Sequence, residues 1–188
     1  MGNYVLSHYQ IKPLLAVRPE APTTKSVSLN LNLSGQEIEL TSAGVILPDG
    51  QYLSWDSLEQ MAINENACYL VRDNTGHKIQ FFSEILNRVY TLYPTTGAPT
   101  MMVSGLPMHR IKGIDPDQDT RQKLKTVQPL TGRVLDTTMG LGYTAIQAAQ
   151  TALEVVTIEL EPNVVEVCRL NPWSQSIYPA AYHAPGGE

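Results

Sequence analysis

The chain has 188 residues, a formal net charge of −5 and a hydrophobic content of 43%. This length allows one domain or two small ones, with ample apolar content for a buried core. The acidic balance argues against nucleic-acid binding through the bulk charge, so a nucleic-acid partner has no support from the net charge. The sequence has no run of the roughly 20 apolar residues that span a bilayer, and it lacks the basic and apolar regions of a signal peptide. We therefore expect a cytoplasmic protein with no membrane partner.

The first hundred residues favour β-structure. Residues 1–25 contain several prolines and no hydrophobic period, which predicts a loose N-terminal arm. From 26 to 99, apolar and polar residues alternate on either side of turns, which is typical of a small β-rich domain. The pattern predicts a hairpin that turns at Ser34 and Gly35, a second turn at 48–50, a short helix capped by Ser54 over 55–61, and strands over 67–71, 78–82 and 88–93. The Thr-, Gly- and Pro-rich stretch 94–99 is predicted to end this domain.

A basic segment precedes the next predicted helix. His109, Arg110 and Lys112 are followed by Asp115 and Pro116, a pair typical of a helix start. We expect this segment to lie at the N-terminus of that helix, close to the glycine turn described next.

A glycine turn between an apolar strand and a helix is the most informative local pattern. Residues 133–136 predict a buried parallel strand, and 143–150 predict a helix with Ile146 and Ala149 inward. Gly140 and Gly142 allow a sharp turn and close ligand approach. A second strand over 155–159 ends in Glu159, and a further helix is predicted to begin at Pro162. Carboxylates at the carboxyl ends of parallel strands lie where ligands bind in open α/β sheets.

Together these residues resemble motifs one and two of class I S-adenosylmethionine-dependent methyltransferases. In that family the glycine turn holds the methionine half of the cofactor, and the second-strand acid holds the ribose. Thr138 departs from the resemblance, because the family usually has glycine there. The resemblance implies S-adenosylmethionine as cofactor, with Arg110 and Lys112 as candidates for its carboxylate. The predicted cofactor-binding set is Asp136, Thr138, Gly140, Gly142, Tyr143, Glu159, Arg110 and Lys112.

The resemblance also covers 107–125 upstream and 170–174 downstream. These segments look like a little-characterised group of predicted methyltransferases, common in archaea, that carry a small N-terminal β domain. The implied fold is an α+β N-terminal domain over 26–99, followed over 100–188 by the first part of an α/β Rossmann-like domain. In this family the acceptor pocket and base usually come from later strands. We therefore expect a C-terminally truncated enzyme with weak or no catalysis alone, unknown catalytic residues and an unknown methyl acceptor.

Several alternatives remain open. A non-catalytic cofactor-binding or interaction module fits the length, and its open sheet edge would favour self-association. A spermidine synthase-like aminopropyltransferase fits a β domain followed by a nucleoside fold, although its glycine run is usually richer. A nicotinamide dehydrogenase is further off, because Ala145 stands where the third fingerprint glycine would be. Cys68 and Cys168 lie in apolar runs without metal-ligand spacing, which predicts reduced core thiols and no metal site.

Overall fold

A computed structural model of the chain describes residues 4–178. It is a mixed α/β structure in which three antiparallel sheets precede one parallel pair of strands. None of the helices within 4–178 is long and apolar enough to cross a bilayer.

The N-terminal segment is ordered and packed, so the predicted loose arm is wrong for residues 4–15. Strand β1 (Tyr4–Leu6) leads into helix α1 (His8–Leu15). Ser7 begins the helix in a capping box: its backbone N–H donates to the Gln10 side chain at 2.9 Å, and its hydroxyl accepts from the backbone N–H of Tyr9. Leu6, Ile11 and Leu14 are almost fully buried, and this burial outweighs the proline inside the helix.

The next sheet confirms the predicted hairpin. It runs in the order β2 (Thr23–Ser28), β3 (Gly35–Leu40), β4 (Gly44–Ile46) and β5 (Tyr52–Ser54), all antiparallel. Its first connection is longer than predicted, because Ser28 pairs with Gly35 and residues 29–34 form the turn. Helix α2 (Trp55–Ile63) begins where expected, with the Ser54 hydroxyl accepting from the Ser57 backbone N–H at 3.1 Å.

The part of the chain that forms antiparallel strands, residues 4–107, is called the antiparallel region below. It continues past the predicted boundary at residue 99. Strand β6 (Tyr69–Arg72) lies between β1 and β7 (Thr75–Lys78). The other sheet has the order β11 (Leu106–Pro107), β10 (Thr100–Val103), β9 (Arg88–Tyr93) and β8 (Gln80–Ser83). Residues 94–99 thus connect two paired strands, with Thr100 opposite Tyr93. The division of the chain into domains stays a prediction.

The C-terminal part carries the parallel pair. Its elements are α3 (Pro116–Leu124), β12 (Arg133–Asp136), α4 (Tyr143–Ala148), β13 (Glu154–Thr157), α5 (Pro162–Leu170) and a 3-10 helix (Pro172–Ile177). The predicted order of strand, helix and strand is confirmed, and β12 and β13 pair in parallel with Leu135 beside Val156. A larger parallel sheet is not found within residues 4–178.

One face of this pair is bare, so the predicted burial of the first strand is wrong. Leu135 is 60% exposed and Val156 44% exposed, while Val134 and Val155 on the opposite face are half-buried. Helix α4 contacts both strands on the half-buried face. Ala149, which was predicted to point inward, is also exposed.

Two apolar clusters form the core. The first lies among α1, α2 and the strands around them. The second joins Cys68, Leu92 and Met101 of the antiparallel region to Leu141 and Val167 of the C-terminal part. Cys68 and Cys168 are free and buried, which confirms the prediction of unpaired core thiols.

Candidate functional site

The glycine turn is a tight extension of the parallel pair. The Ile158 backbone N–H donates to the Asp136 carbonyl at 2.9 Å, and the Met139 N–H donates to the Ile158 carbonyl at 2.9 Å. Gly140 and Gly142 both have positive φ, at 54° and 73°. Thr138 is not among the non-glycine residues with positive φ in the described chain. The turn therefore places its left-handed positions at the two glycines, which accommodates the β-branched residue that departs from the family pattern.

The structure brings the two predicted carboxylates to the same edge of the sheet. Glu159 follows β13 and accepts the Gly140 backbone N–H at 3.0 Å through Oε2. Its Oε1 accepts the backbone N–H groups of Leu160 and Glu161 at 2.9 and 3.1 Å. Asp136 ends β12, and its Oδ2 accepts the Thr157 hydroxyl at 2.8 Å. Since a carboxylate offers about four acceptor positions, each acid keeps capacity for a further donor.

Tyr143 lies in the core, which corrects its prediction as a cofactor contact. Its side chain is 4% exposed, and its hydroxyl donates to the Pro99 carbonyl at 2.8 Å. The same hydroxyl accepts from Asn171 Nδ2 at 2.9 Å. Burial raises the pKa of Tyr143 well above its usual value, so it stays a neutral donor. Tyr143 therefore fixes the helix that follows the turn to the antiparallel region.

A buried hydrogen-bond chain continues from Tyr143 back to the turn, and sequence reasoning did not find it. Asn171 Nδ2 also donates to Ser174 Oγ at 2.7 Å, and Ser174 Oγ donates to the Leu141 carbonyl at 2.7 Å. Asn171 directly follows α5, and its Oδ1 accepts the Trp173 backbone N–H. The signal was the Asn-Pro pair at 171–172, which indicated only a helix stop. The side chains of Tyr143, Asn171 and Ser174 are therefore positioning residues for the glycine turn.

Removing the Tyr143 hydroxyl will test this chain of buried hydrogen bonds. We expect Tyr143→Phe to lower the free energy of unfolding by about 1–2 kcal/mol, because a buried carbonyl and a buried amide each lose a partner. Urea denaturation measures the change. Tyr52→Phe is the matched control, since the Tyr52 hydroxyl donates to a carbonyl at 2.7 Å from an exposed side chain. Equal losses in the two variants would contradict the assignment.

The segment that carries the predicted basic residues passes over the turn. The side chain that lies over the turn is Met108, whose Cε is 2.6 Å from where a Cβ on Gly140 would sit. Arg110 and Lys112 are exposed. On the other side, Ile177 Cδ1 lies 1.7 Å from the position of a Cβ on Gly142. Apolar side chains thus pack where each glycine lacks a side chain, and the roles of Arg110 and Lys112 stay predictions.

His109 is held inside the structure. Its Nδ1 lies 2.9 Å from the Thr100 hydroxyl, and its ring centroid lies 5.3 Å from that of Tyr143. Burial, which is the largest cause, and the Lys123 ammonium lower the pKa of His109 from 6.5 to about 4, while Asp119 opposes the change. The imidazole is therefore neutral at physiological pH. Among residues 4–178, no group of three or more metal-ligating side chains is placed to hold a metal ion.

Comparison with known proteins finds a relative whose name states no function. The chain is 36% identical over 162 residues to the uncharacterized protein MJ1233 of Methanocaldococcus jannaschii. The alignment covers 82% of this chain and 54% of that protein, so the chain spans about half the length of this relative. No protein-family profile matches the chain.

Proposed function

We propose that the turn between β12 and α4 is a nucleoside-cofactor site and that the chain carries the S-adenosylmethionine-binding part of a methyltransferase. One observation carries the proposal: Asp136 ends β12, Glu159 lies two residues after the end of the adjacent parallel strand β13, and both carboxylates lie beside the glycine turn. The 3.0 Å bond from Gly140 to Glu159 ties the second carboxylate to that turn. This edge is where ligands bind in open α/β sheets.

The two carboxylates fit such a cofactor by their acceptor chemistry. Met108 and Ile177 fill the space beside Gly140 and Gly142, so the predicted close approach of a ligand to these glycines is not part of the proposal. Hydrogen bonds within 4–178 occupy one oxygen of Asp136, and the three that Glu159 accepts leave it about one acceptor position, on Oε2. One ribose hydroxyl would donate to Oε2 of Glu159, and Asp136 would bind the ammonium group of the methionine half. When bound, the cofactor supplies a sulfonium methyl group for in-line transfer. The protein then has to fix geometry and, for an amine or hydroxyl acceptor, provide a place for a proton.

A non-catalytic module is the second candidate, and the bare face of the parallel pair favours it. Parallel strands are normally covered on both faces, whereas here Leu135, Val156 and Ile158 are each more than two-fifths exposed. Under this reading the sheet would self-associate or receive another polypeptide. The aminopropyltransferase alternative and the cytoplasmic location without a membrane partner stay predictions. The methyl acceptor stays unassigned.

Calorimetric titration of the intact chain with S-adenosylmethionine tests the proposal. We expect saturable binding by the parent chain. An Asp136→Ala and Glu159→Ala double variant should lose at least tenfold in affinity, because it removes the ribose contact and the methionine contact at once. A Glu84→Ala and Asp56→Ala double variant is the matched control, since it removes the same charge from exposed positions. Circular dichroism and thermal unfolding establish that all three proteins are folded.

The outcomes separate the candidates. Binding that is lost in the site variant and kept in the control supports the cofactor site. Saturable binding of decarboxylated S-adenosylmethionine or of NAD in its place would favour the aminopropyltransferase or the dehydrogenase. No heat from a folded chain with any of the three ligands would contradict the nucleoside site and leave the non-catalytic module.

A further inference from the structure

Met108 is the side chain that covers Gly140 from outside the turn. Its Cε lies 2.6 Å and its Sδ 3.7 Å from where a Cβ on Gly140 would sit. Apart from the chain neighbours of Gly140, no other described residue has an atom within 4 Å of that position. Met108 itself is 43% exposed. Turning this one side chain away would therefore uncover Gly140.

The second glycine of the turn is covered in a different way. Ile177 Cδ1 lies 1.7 Å and Cys168 Sγ 3.8 Å from where a Cβ on Gly142 would sit. Cys168 is fully buried, and Ile177 belongs to the 3-10 helix that follows α5. Uncovering Gly142 would require packed structure to move, whereas uncovering Gly140 requires only rotation within one partly exposed side chain.

The backbone around Met108 is fixed, so the part that is free to move is the side chain. The Met108 N–H donates to the Met101 carbonyl at 2.9 Å. The next residue, His109, donates its backbone N–H to the hydroxyl of the fully buried Thr100 at 3.3 Å, and its Nδ1 lies 2.9 Å from the same hydroxyl. Methionine is unbranched and has three rotatable side-chain bonds. The end of the Met108 side chain can therefore leave Gly140 while the strands stay paired.

The covered glycine lies beside the acid that the proposed ligand would use. The Gly140 N–H donates to Glu159 Oε2 at 3.0 Å, and Oε2 is the oxygen that keeps an acceptor position. A hydroxyl group that donates to this oxygen lies within about 6 Å of the Gly140 nitrogen. The Met108 methyl group lies in the same neighbourhood, on the face of Gly140.

We propose that Met108 gates this site. Its side chain closes the turn by lying on Gly140, and it turns away when a nucleoside ligand binds at Glu159. The inference rests on the proposed function, because a gate needs a ligand for the turn. A gate lowers the apparent affinity in proportion to the fraction of time that it is open. If Met108 covers the turn for about two-thirds of the time, removing its side chain strengthens binding about threefold.

Titration calorimetry of the intact chain with S-adenosylmethionine tests the gate. We expect Met108→Ala to bind this ligand about threefold or more tightly than the parent, because an alanine side chain does not reach Gly140. Leu106→Ala is the matched control. It shortens a 74% exposed apolar side chain on β11, two residues before Met108, and should bind as the parent does.

Methyl NMR gives a second measurement that does not depend on a difference in affinity. When the methionine methyl groups are isotope-labelled, the Met108 resonance is identified by its absence from the Met108→Ala spectrum. Saturation with S-adenosylmethionine should shift this resonance. The resonance of Met61, which is buried in the first apolar cluster, should stay unchanged.

The outcomes distinguish the gate from the site. Equal affinities for the parent and Met108→Ala, with saturable binding by both, would overturn the gate and leave the nucleoside site in place. Weaker binding by Met108→Ala would also overturn it, because Met108 would then hold the ligand instead of excluding it. A Met108 resonance that does not move when the ligand binds would do the same. Absence of binding by both folded proteins would contradict the proposed function together with the gate.

Discussion

Gly142→Ala will lower the free energy of unfolding by about 2–4 kcal/mol, through backbone strain and overpacking together. Gly142 has a φ of 73°, where a side chain is strained. A Cβ there would also lie 1.7 Å from Ile177 Cδ1, so the 3-10 helix would have to move or Ile177 would have to adopt another rotamer. Urea denaturation measures the loss.

Two further variants separate the two causes. Gly50→Ala is the matched control, because Gly50 has a φ of 86° and open space where its Cβ would be. We expect it to cost only about 1 kcal/mol, from strain alone. Combining Gly142→Ala with Ile177→Ala should recover part of the loss relative to the two single changes. If Gly142→Ala and Gly50→Ala cost the same, the contact with Ile177 has no energetic weight.

His109 should make the fold less stable in mild acid. Its pKa is 6.5 in the unfolded reference and about 4 in the structure, so between these values the unfolded chain binds more protons. Stability therefore rises with pH in this window and falls as the pH drops below 6.5 towards 4. We expect His109 alone to remove about 2 kcal/mol of stability between pH 7 and pH 5. Urea titrations at the two pH values measure this slope.

His109→Asn should abolish that part of the slope. Asparagine has no proton to gain in this range, and its amide oxygen can accept from the Thr100 hydroxyl, as an imidazole nitrogen can. The groups that face His109, Lys123 and Asp119, are present in both proteins. His77→Asn is the control for the substitution itself, since it replaces an exposed imidazole on β7 in the same way. A His109→Asn protein that loses as much stability as the parent would contradict the neutral buried imidazole.

Local sequence signals predicted most helices, strands and turns, because the residues that determine each of them lie close together in the sequence. The hairpin, the Ser54 cap, the Asp115-Pro116 helix start and the strand, turn and helix around Gly140 all follow from periodicity and turn chemistry. The N-terminal arm was mispredicted for a similar reason. Its prolines were given more weight than the Ser7 to Gln10 capping box, which was present in the sequence.

The candidate site was predicted only as far as its backbone motif extends. Asp136 and Glu159 were predicted to lie at one edge of the sheet because both follow apolar strand runs, and the structure places Asp136 at the end of β12 and Glu159 two residues after β13. The core position of Tyr143 depends on Pro99 and Asn171, which are distant in sequence, so no local pattern indicated it. The exposure of Leu135 was missed because an apolar run predicts burial without specifying what covers it.

The bare face of the parallel pair also sets an order of local opening. Strands β12 and β13 are covered on one face only, while the antiparallel sheets enclose the larger clusters of buried side chains. Regions with few buried contacts open before the rest of a protein does. The backbone amides of 134–136 and 155–158 are therefore expected to exchange with solvent deuterium before those of β6 and β9. A ligand that bridges Asp136 and Glu159 would slow that exchange by mass action, and so would report its own binding without any assay of catalysis.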